Sequence, residues 1–180
     1  IRFIQEIVYW CALDYMYTGN TSNIPRVIDA LDHALDQGFA FGSGQGTNHH
    51  YGYQVRDLYK GVWILRKELA KSGKLEDYVK ALTYWSGLQE VRMPYEQTRD
   101  GILDAWHTLH NAKVISAMLQ SDDDKRYAAM MALGKWTSGS LSYTDGTLGG
   151  IKVDGTSFHH GGHYPGYSVG AFGVLGDYCW

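Results

Sequence analysis

Hydrophobic positions recur at helical spacing through most of the chain, with polar positions between them. A spacing of three to four residues puts apolar side chains on one face of a helix, which can then pack on a core. Gly19 and Gly38 end the first two segments, and the second is predicted to begin with Asn23 as N-cap and Pro25 in its first turn. The pattern predicts six helices, over residues 2–17, 23–38, 54–71, 75–88, 99–119 and 121–138.

Two glycine-rich stretches interrupt this pattern. One is "GFAFGSGQGTNHHYGY", and the other runs from Gly139 to the end and holds eleven of the 22 glycines. Because glycine disfavours regular helix, we expect both stretches to be loops. Short turns and two long loops predict an all-α fold of antiparallel helix hairpins with the functional residues in the loops. The pattern alone leaves a bundle, a solenoid and an (α/α) toroid open.

Composition removes several classes of function. With 16 basic and 19 acidic residues and a net charge of -3, the chain has no general field that attracts nucleic acid or an anionic membrane. No apolar run approaches the roughly 20 residues of a membrane span. Cys11 and Cys179 lack zinc-ligand spacing, and whether they pair is open. The first residues form an amphipathic helix and not a signal peptide, and we expect the chain to be a piece of a longer polypeptide.

Histidines concentrate in the two glycine-rich stretches. His49 and His50 lie in the first, and His159, His160 and His163 lie in the second. The remaining histidines fall on predicted helices, where we expect polar-face or hydrogen-bonded core positions, with His107 the one that can border a cleft; they are His33, His107 and His110.

Three chemistries suit the histidine stretches. Turn formation suits Asn, Gly and His, which tolerate unusual backbone angles. Metal binding would recruit Asp154, but adjacent histidines are expected to project in different directions and no HExxH pattern is present, so we predict no metal site. Acid–base catalysis of proton abstraction α to a carboxylate needs a neutraliser, a base and an acid, which Asn48, His50, His160 and Tyr167 can supply.

The segment "VDGTSFHHGGHYPGYS" resembles the one that carries the catalytic His and Tyr in chondroitin sulfate ABC-type lyases of polysaccharide lyase family eight. That pattern places a histidine after a DGT turn and a tyrosine seven residues later, which are His160 and Tyr167 here. "TNHHYGYQVRDLY" and "SDDDKRYAAM" resemble two further segments of the family in the same order. The resemblance runs from Thr47 to Ser168.

This resemblance implies a glycosaminoglycan lyase that cleaves chondroitin or dermatan sulfate by β-elimination. The family's catalytic domain is an incomplete (α/α) toroid followed by β-sandwich domains, so residues 1–180 are expected to be part of one toroid domain, without the β-sandwiches. It further implies a secreted or periplasmic monomer that binds a sulfated polysaccharide and neither nucleic acid nor membrane. No cofactor is expected for the chemistry, and a structural divalent cation stays open.

By resemblance, Tyr167 is the base or acid at the cleaved bond and His160 is its partner. His50 contacts the uronate carboxylate or acts as base for the other C5 epimer, and its choice over His49 stays open. The expected substrate contacts are Asn48, His49, Arg56, His159, His163 and Tyr164. The family's further arginine and glutamate lie well beyond the second motif, so we expect this chain to be inactive alone.

Two alternatives remain. One is an (α/α) glycoside hydrolase with two catalytic carboxylates among Asp104, Asp154 and Asp177, and the other is a non-catalytic helical module that binds glycans. A hydrolase yields saturated products, whereas a lyase leaves an unsaturated uronate. Three tryptophans at helical positions are expected to be core residues and not sugar platforms: Trp63, Trp106 and Trp136.

Overall fold

The computed structural model describes residues 1–44, 51–94 and 102–176. In these ranges seven α-helices surround two hydrophobic clusters, and a small three-stranded sheet precedes the last helix. The helices are α1 (Arg2–Thr18), α2 (Asn23–Asp36), α3 (Arg56–Lys71), α4 (Leu75–Trp85), α5 (Ile102–Asp104, a π-helical segment Ala105–Leu109, and His110–Met118), α6 (Asp123–Ser140) and α7 (Pro165–Gly176), with a 3₁₀ helix at Leu88–Arg92. The predicted all-α class is confirmed.

Most helix ends follow the predicted signals. Gly19 has a left-handed backbone (φ 73°), and its N–H donates to the carbonyl of Tyr15 at 2.8 Å, which ends α1. The Asp122 side chain accepts from the Lys125 N–H at 2.9 Å and caps α6. Asn23 as N-cap was wrong: it is the first helical residue of α2, and its amide donates to Asp14 at 2.6 Å instead.

Short connections turn neighbouring helices back on one another. Residues 19–22 join α1 to α2, and residues 72–74 join α3 to α4, so each pair is an antiparallel hairpin. The two hairpins meet closely because Gly61 of α3 has no side chain: a Cβ there would lie 2.9 Å from the backbone oxygen of Val8 in α1.

Two hydrophobic clusters form the core. The first joins α1 to α4 with one side of α5, through residues such as Val8, Val27, Leu58, Tyr59, Leu65, Leu82, Ala112 and Ile115. The second joins α5, α6, α7 and the 3₁₀ helix, through residues such as Leu88, Leu103, Trp106, Val114, Leu133, Trp136 and Ala171. Trp106 and Trp136 are buried, as predicted. Trp63 is partly buried, and its ring stacks on the Arg66 guanidinium at 3.9 Å.

The prediction of loop from Gly139 onward was wrong in part, because short strands and a helix occur there. Three short antiparallel strands, β1 (Gly150–Ile151), β2 (Ser157–His159) and β3 (Gly162–His163), are followed by the twelve-residue helix α7. Pro165 begins α7, where its missing N–H costs nothing because the first N–H groups of a helix have no intrahelical partner. The glycines of α7 are tolerated because α7 packs against the π-helical segment of α5.

Helices long and apolar enough to cross a membrane do not occur among the described residues.

Candidate active site

The second histidine stretch folds into a tight hairpin. His159 of β2 pairs with Gly162 of β3, so only two residues, His160 and Gly161, make the turn. Both have positive φ, 49° and 73°, which is the pattern of a type I′ turn. His160 is the one residue other than glycine with positive φ in the described ranges. The turn therefore places an imidazole where Asn or Gly is usual.

This turn brings the two adjacent histidines together. Successive residues of a regular strand point to opposite faces, but the left-handed backbone of His160 breaks that alternation. The His159 and His160 ring centroids are 3.9 Å apart. The prediction that adjacent histidines project in different directions was wrong for this reason.

Tyr167 lies beside both histidines. It stands in the first turn of α7, with its ring centroid 4.5 Å from that of His159 and 6.4 Å, edge-on, from that of His160. The structure thus brings together the predicted pair, His160 and Tyr167. The predicted substrate contact His159 is fully buried between them.

A buried carboxylate forms a hydrogen bond with His159. Asp104, at the start of α5, is 1% exposed, and its Oδ2 lies 3.1 Å from Nε2 of His159, which is 0% exposed. A carboxylate accepts hydrogen bonds, so the imidazole nitrogen is the donor. This contact joins residues 55 positions apart and fixes the orientation of the ring that packs on Tyr167.

Tyr53 and His107 extend the cluster on the other side of Asp104. The Tyr53 hydroxyl is 3.5 Å from Asp104 Oδ1 and 3.3 Å from His107 Nδ1. Burial first, and then the negative charge of Asp104, raise the pKa of Tyr53. Burial, together with the charge of Arg56, lowers the pKa of His107, although Asp104 opposes this shift. At neutral pH these causes favour a protonated Tyr53 beside an uncharged His107.

The segment that carries His107 is a local π-helix, a feature that often marks functional sites. Two glycines allow other elements to approach it. A Cβ on Gly52 would lie 2.6 Å from Thr108, and a Cβ on Gly170 would lie 2.7 Å from the His107 ring. The site is therefore built where the segment before α3, the π-helical part of α5 and α7 meet.

The other predicted substrate contacts lie at the edge of this cluster. Tyr164 is 46% exposed, with its ring perpendicular to that of Tyr167 at 5.8 Å. His163 is exposed, and its ring stacks near Phe158. Arg56 is exposed at the start of α3, and with Tyr53 it lines a cleft of about 590 Å³. Several predicted positions lie outside the described residues: Asn48, His49, His50, Asp177 and Cys179.

Sequence reasoning missed part of the cluster. Tyr53 was not singled out, and Asp104 was considered only as a hydrolase acid. The sequence gives one partial signal, the position of His107 beside Trp106 and Asn111 on a helix that can border a cleft. Asp154, the other described hydrolase candidate, is exposed, and its carboxylate accepts from the Thr156 N–H and hydroxyl within its own turn. That hydrogen bonding lowers the pKa of Asp154.

A separate groove lies away from this cluster. It has a volume of about 1090 Å³ between α3, α4 and the start of α6, and Trp63, Arg66, Lys80 and Arg126 are among its lining residues. None of the described site histidines lines it. We place the candidate active site at the histidine cluster because acid–base chemistry needs titratable groups, and these converge there.

Known proteins are similar to this chain over most of its residues. The family model described as "Lyase, catalytic" matches residues 21–179. A chondroitin sulfate ABC exolyase of Bacteroides thetaiotaomicron is 32% identical over 145 residues, which are 81% of this chain and 14% of that protein. A chondroitin sulfate ABC exolyase of Proteus vulgaris is 32% identical over 172 residues, 96% of this chain and 17% of that protein. An ABC endolyase of the same organism is 31% identical over 142 residues, 78% of this chain and 14% of that protein. The chain thus spans less than a fifth of the length of these relatives.

Proposed function

The chain belongs to the lyase catalytic-domain family, and we propose that it is part of an enzyme that cleaves chondroitin and dermatan sulfate by β-elimination. The observation that carries the proposal is the convergence of His160 and Tyr167 on the buried His159–Asp104 pair. The names of the three relatives supply the substrate class.

The reaction requires three groups in the active site: a base, an acid and a group that neutralises the uronate carboxylate. A base removes the C5 proton of the uronate, the C4–O bond to the leaving sugar breaks, and a double bond forms between C4 and C5. An acid then protonates the departing oxygen, so that the proton count balances. Because the C5 proton is weakly acidic, the uronate carboxylate must be neutralised while negative charge develops on it.

Tyr167 serves as base or acid at the cleaved bond, and His160 is its partner. His159 packs on the Tyr167 ring, and Asp104 holds His159 through the 3.1 Å contact, so the tyrosine is oriented by groups that are themselves buried. A site fixed in this way loses little orientational freedom when the substrate reacts.

The remaining roles follow from the resemblance. His50 neutralises the uronate carboxylate or acts as base for the other C5 epimer. Arg56, which is exposed and always charged, contacts a carboxylate or sulfate. The other substrate contacts are Asn48, His49, His163 and Tyr164, whereas the buried His159 positions Tyr167.

Residues 1–180 form part of a single (α/α) toroid domain in this proposal. The full-length protein acts as a monomer, secreted or in the periplasm, on a sulfated polysaccharide and not on nucleic acid or membrane. The elimination needs no cofactor.

The test is product analysis of the full-length protein that carries this chain, on chondroitin sulfate and dermatan sulfate. A lyase produces unsaturated uronate ends that absorb ultraviolet light. Tyr167→Phe keeps the ring but removes the hydroxyl, so we expect this absorbance to form at least 100-fold more slowly, about the value of one acid–base group.

Tyr127→Phe is the matched control, since Tyr127 is an exposed tyrosine of α6 with no assigned role in the site. We expect it to keep most of the rate. Saturated products, or an unchanged rate in Tyr167→Phe, would refute the proposal.

A further inference from the structure

Three metal-ligating side chains converge within the candidate active site. Asp104 of α5, His159 of β2 and His160 of the turn each offer a ligand atom, and these atoms all lie within 4.8 Å of one another. The three come from different elements, so the convergence is a property of the fold and not of neighbouring residues on one helix.

The geometry of the two buried ligands suits one ion. Asp104 Oδ2 and His159 Nε2 are 3.1 Å apart. An ion bound to both at roughly 2.0–2.1 Å would make an angle of roughly 95–100° between them, which is compatible with tetrahedral or five-coordinate zinc. The ion would take the place of the proton that these two atoms now share.

The third ligand, His160, is exposed to solvent. Its imidazole can therefore rotate by the small amount needed to shorten its distance to the ion. Tyr53 contacts the other oxygen of Asp104 at 3.5 Å and supplies the outer hydrogen bond that ligating carboxylates usually have. Because the left-handed turn brings the His159 and His160 rings together, these adjacent histidines can bind the same ion.

We propose that Asp104, His159 and His160 bind a divalent transition-metal ion, with Zn²⁺ as the best match, and that the bound ion blocks the acid–base site. Two imidazoles and one carboxylate are ligands of zinc and its neighbours, whereas Ca²⁺ and Mg²⁺ prefer oxygen. A solvent molecule would complete the coordination. The blocking step rests on the proposed function, because it assumes that His160 is needed for elimination; the binding step does not.

Binding is tested on the 180-residue chain by calorimetric titration with Zn²⁺ and by the visible absorption of Co²⁺. We expect one ion per chain. His160→Gln should weaken Zn²⁺ binding at least tenfold and reduce the Co²⁺ absorption, and circular dichroism checks its fold because position 160 has a left-handed backbone. Asp104→Asn removes the carboxylate at constant size and should also weaken binding.

Two controls isolate this site from other histidines. His163→Gln changes an exposed histidine three positions away, and a variant with both His49→Gln and His50→Gln removes the first histidine stretch. Both should keep the affinity of the unmodified chain. The proposal is overturned if the unmodified chain binds no stoichiometric Zn²⁺, or if either control weakens binding as much as His160→Gln.

The inhibitory step is measured separately on the full-length protein. Zn²⁺ should stop formation of the ultraviolet-absorbing product, and a chelator should restore it. Stoichiometric binding at the three ligands without inhibition would overturn the blocking step and, with it, the role of His160 in elimination. A lyase that loses activity in Tyr167→Phe but binds no Zn²⁺ would leave the proposed function in place and remove the metal site.

Discussion

At the scale of single residues, His160 has a left-handed backbone, which is uncommon outside glycine although histidine tolerates it better than most residues. A left-handed residue other than glycine costs roughly 1–2 kcal/mol, and Asn pays less than most because its short polar side chain bonds locally. The His160 turn closes β2 on β3 with φ of 49°, so the chain holds an unfavourable residue at this point. Residues strained in this way persist where the surrounding structure holds them, and they cluster at active sites.

The substitution His160→Asn distinguishes the role of residue 160 in the turn from the role of its imidazole in the reaction. Asn suits the type I′ turn, so we expect the melting temperature to stay the same or to rise by a few degrees. The imidazole is lost, so formation of unsaturated product by the full-length protein should fall at least 100-fold. A variant that melts as the unmodified chain does and keeps its rate would contradict the assigned role of His160.

A second residue-scale prediction concerns His110, which is 4% exposed in α5. Burial first, and then the charge of Lys113, lower the pKa of His110 from 6.5 to about 4. The unfolded chain therefore binds a proton below pH 6.5 that the folded chain does not bind until about pH 4. The stability that depends on uncharged His110 is therefore fully present above pH 6.5. As the pH drops to about 4, the free energy of unfolding falls by about 3 kcal/mol, at roughly 1.4 kcal/mol per pKa unit.

Urea unfolding at several pH values between 7.5 and 4 checks this slope. His110→Gln should flatten it by about 3 kcal/mol over that range. His33→Gln, which removes an exposed histidine from α2, serves as the control. The same slope in His110→Gln and in the unmodified chain would show that His110 takes up its proton equally in both states.

At the scale of elements, α7 is a helix that the local sequence pattern did not predict. Its glycines at 166, 170, 173 and 176 lower its intrinsic helix propensity, so local pattern predicted a loop. Packing against the π-helical segment supplies the stability that propensity lacks. The helices with regular apolar spacing and end signals, such as α1 and α6, were predictable because that information is local.

The glycines of α7 give a matched pair of substitutions. Gly170→Ala places a Cβ 2.7 Å from the His107 ring, which must then leave its contact with Tyr53. We expect a loss of about 1–3 kcal/mol in the free energy of unfolding. Gly173→Ala meets nothing within 4 Å and should gain about 0.5–1 kcal/mol. Urea unfolding measures both, and equal effects would contradict the packing described between α7 and α5.

The candidate site was predictable only in part for a related reason. His160 and Tyr167 are seven residues apart, so a spacing in the sequence reveals them. The Asp104–His159 contact spans 55 residues, and the Tyr53–Asp104 contact spans 51. No local pattern encodes such pairs, because they depend on how α5 and the hairpin come together in the folded chain.

At the scale of the whole molecule, α5 links the two hydrophobic clusters. Ala112 and Ile115 belong to the first, while Val114 and Ala117 belong to the second. Between them, the fully buried Lys113 donates to the Ser86 and Gly87 carbonyls at 2.8 and 2.9 Å and to Glu90 at 3.1 Å. Burial lowers the pKa of Lys113, although Glu90 opposes this shift. One helix therefore carries the packing of both clusters and a buried polar link to the segment after α4.

This arrangement predicts that the described part of the chain unfolds as one unit. Gly61→Ala inserts a methyl group 2.9 Å from the Val8 oxygen and should destabilise the first cluster by about 1–3 kcal/mol. If α5 couples the clusters, amide hydrogen exchange should speed up equally in α3 and in α6, although α6 belongs to the second cluster. Gly134→Ala, which meets nothing within 4 Å in α6, is the control and should slow exchange in both helices. Faster exchange confined to α3 would mean that the two clusters open independently.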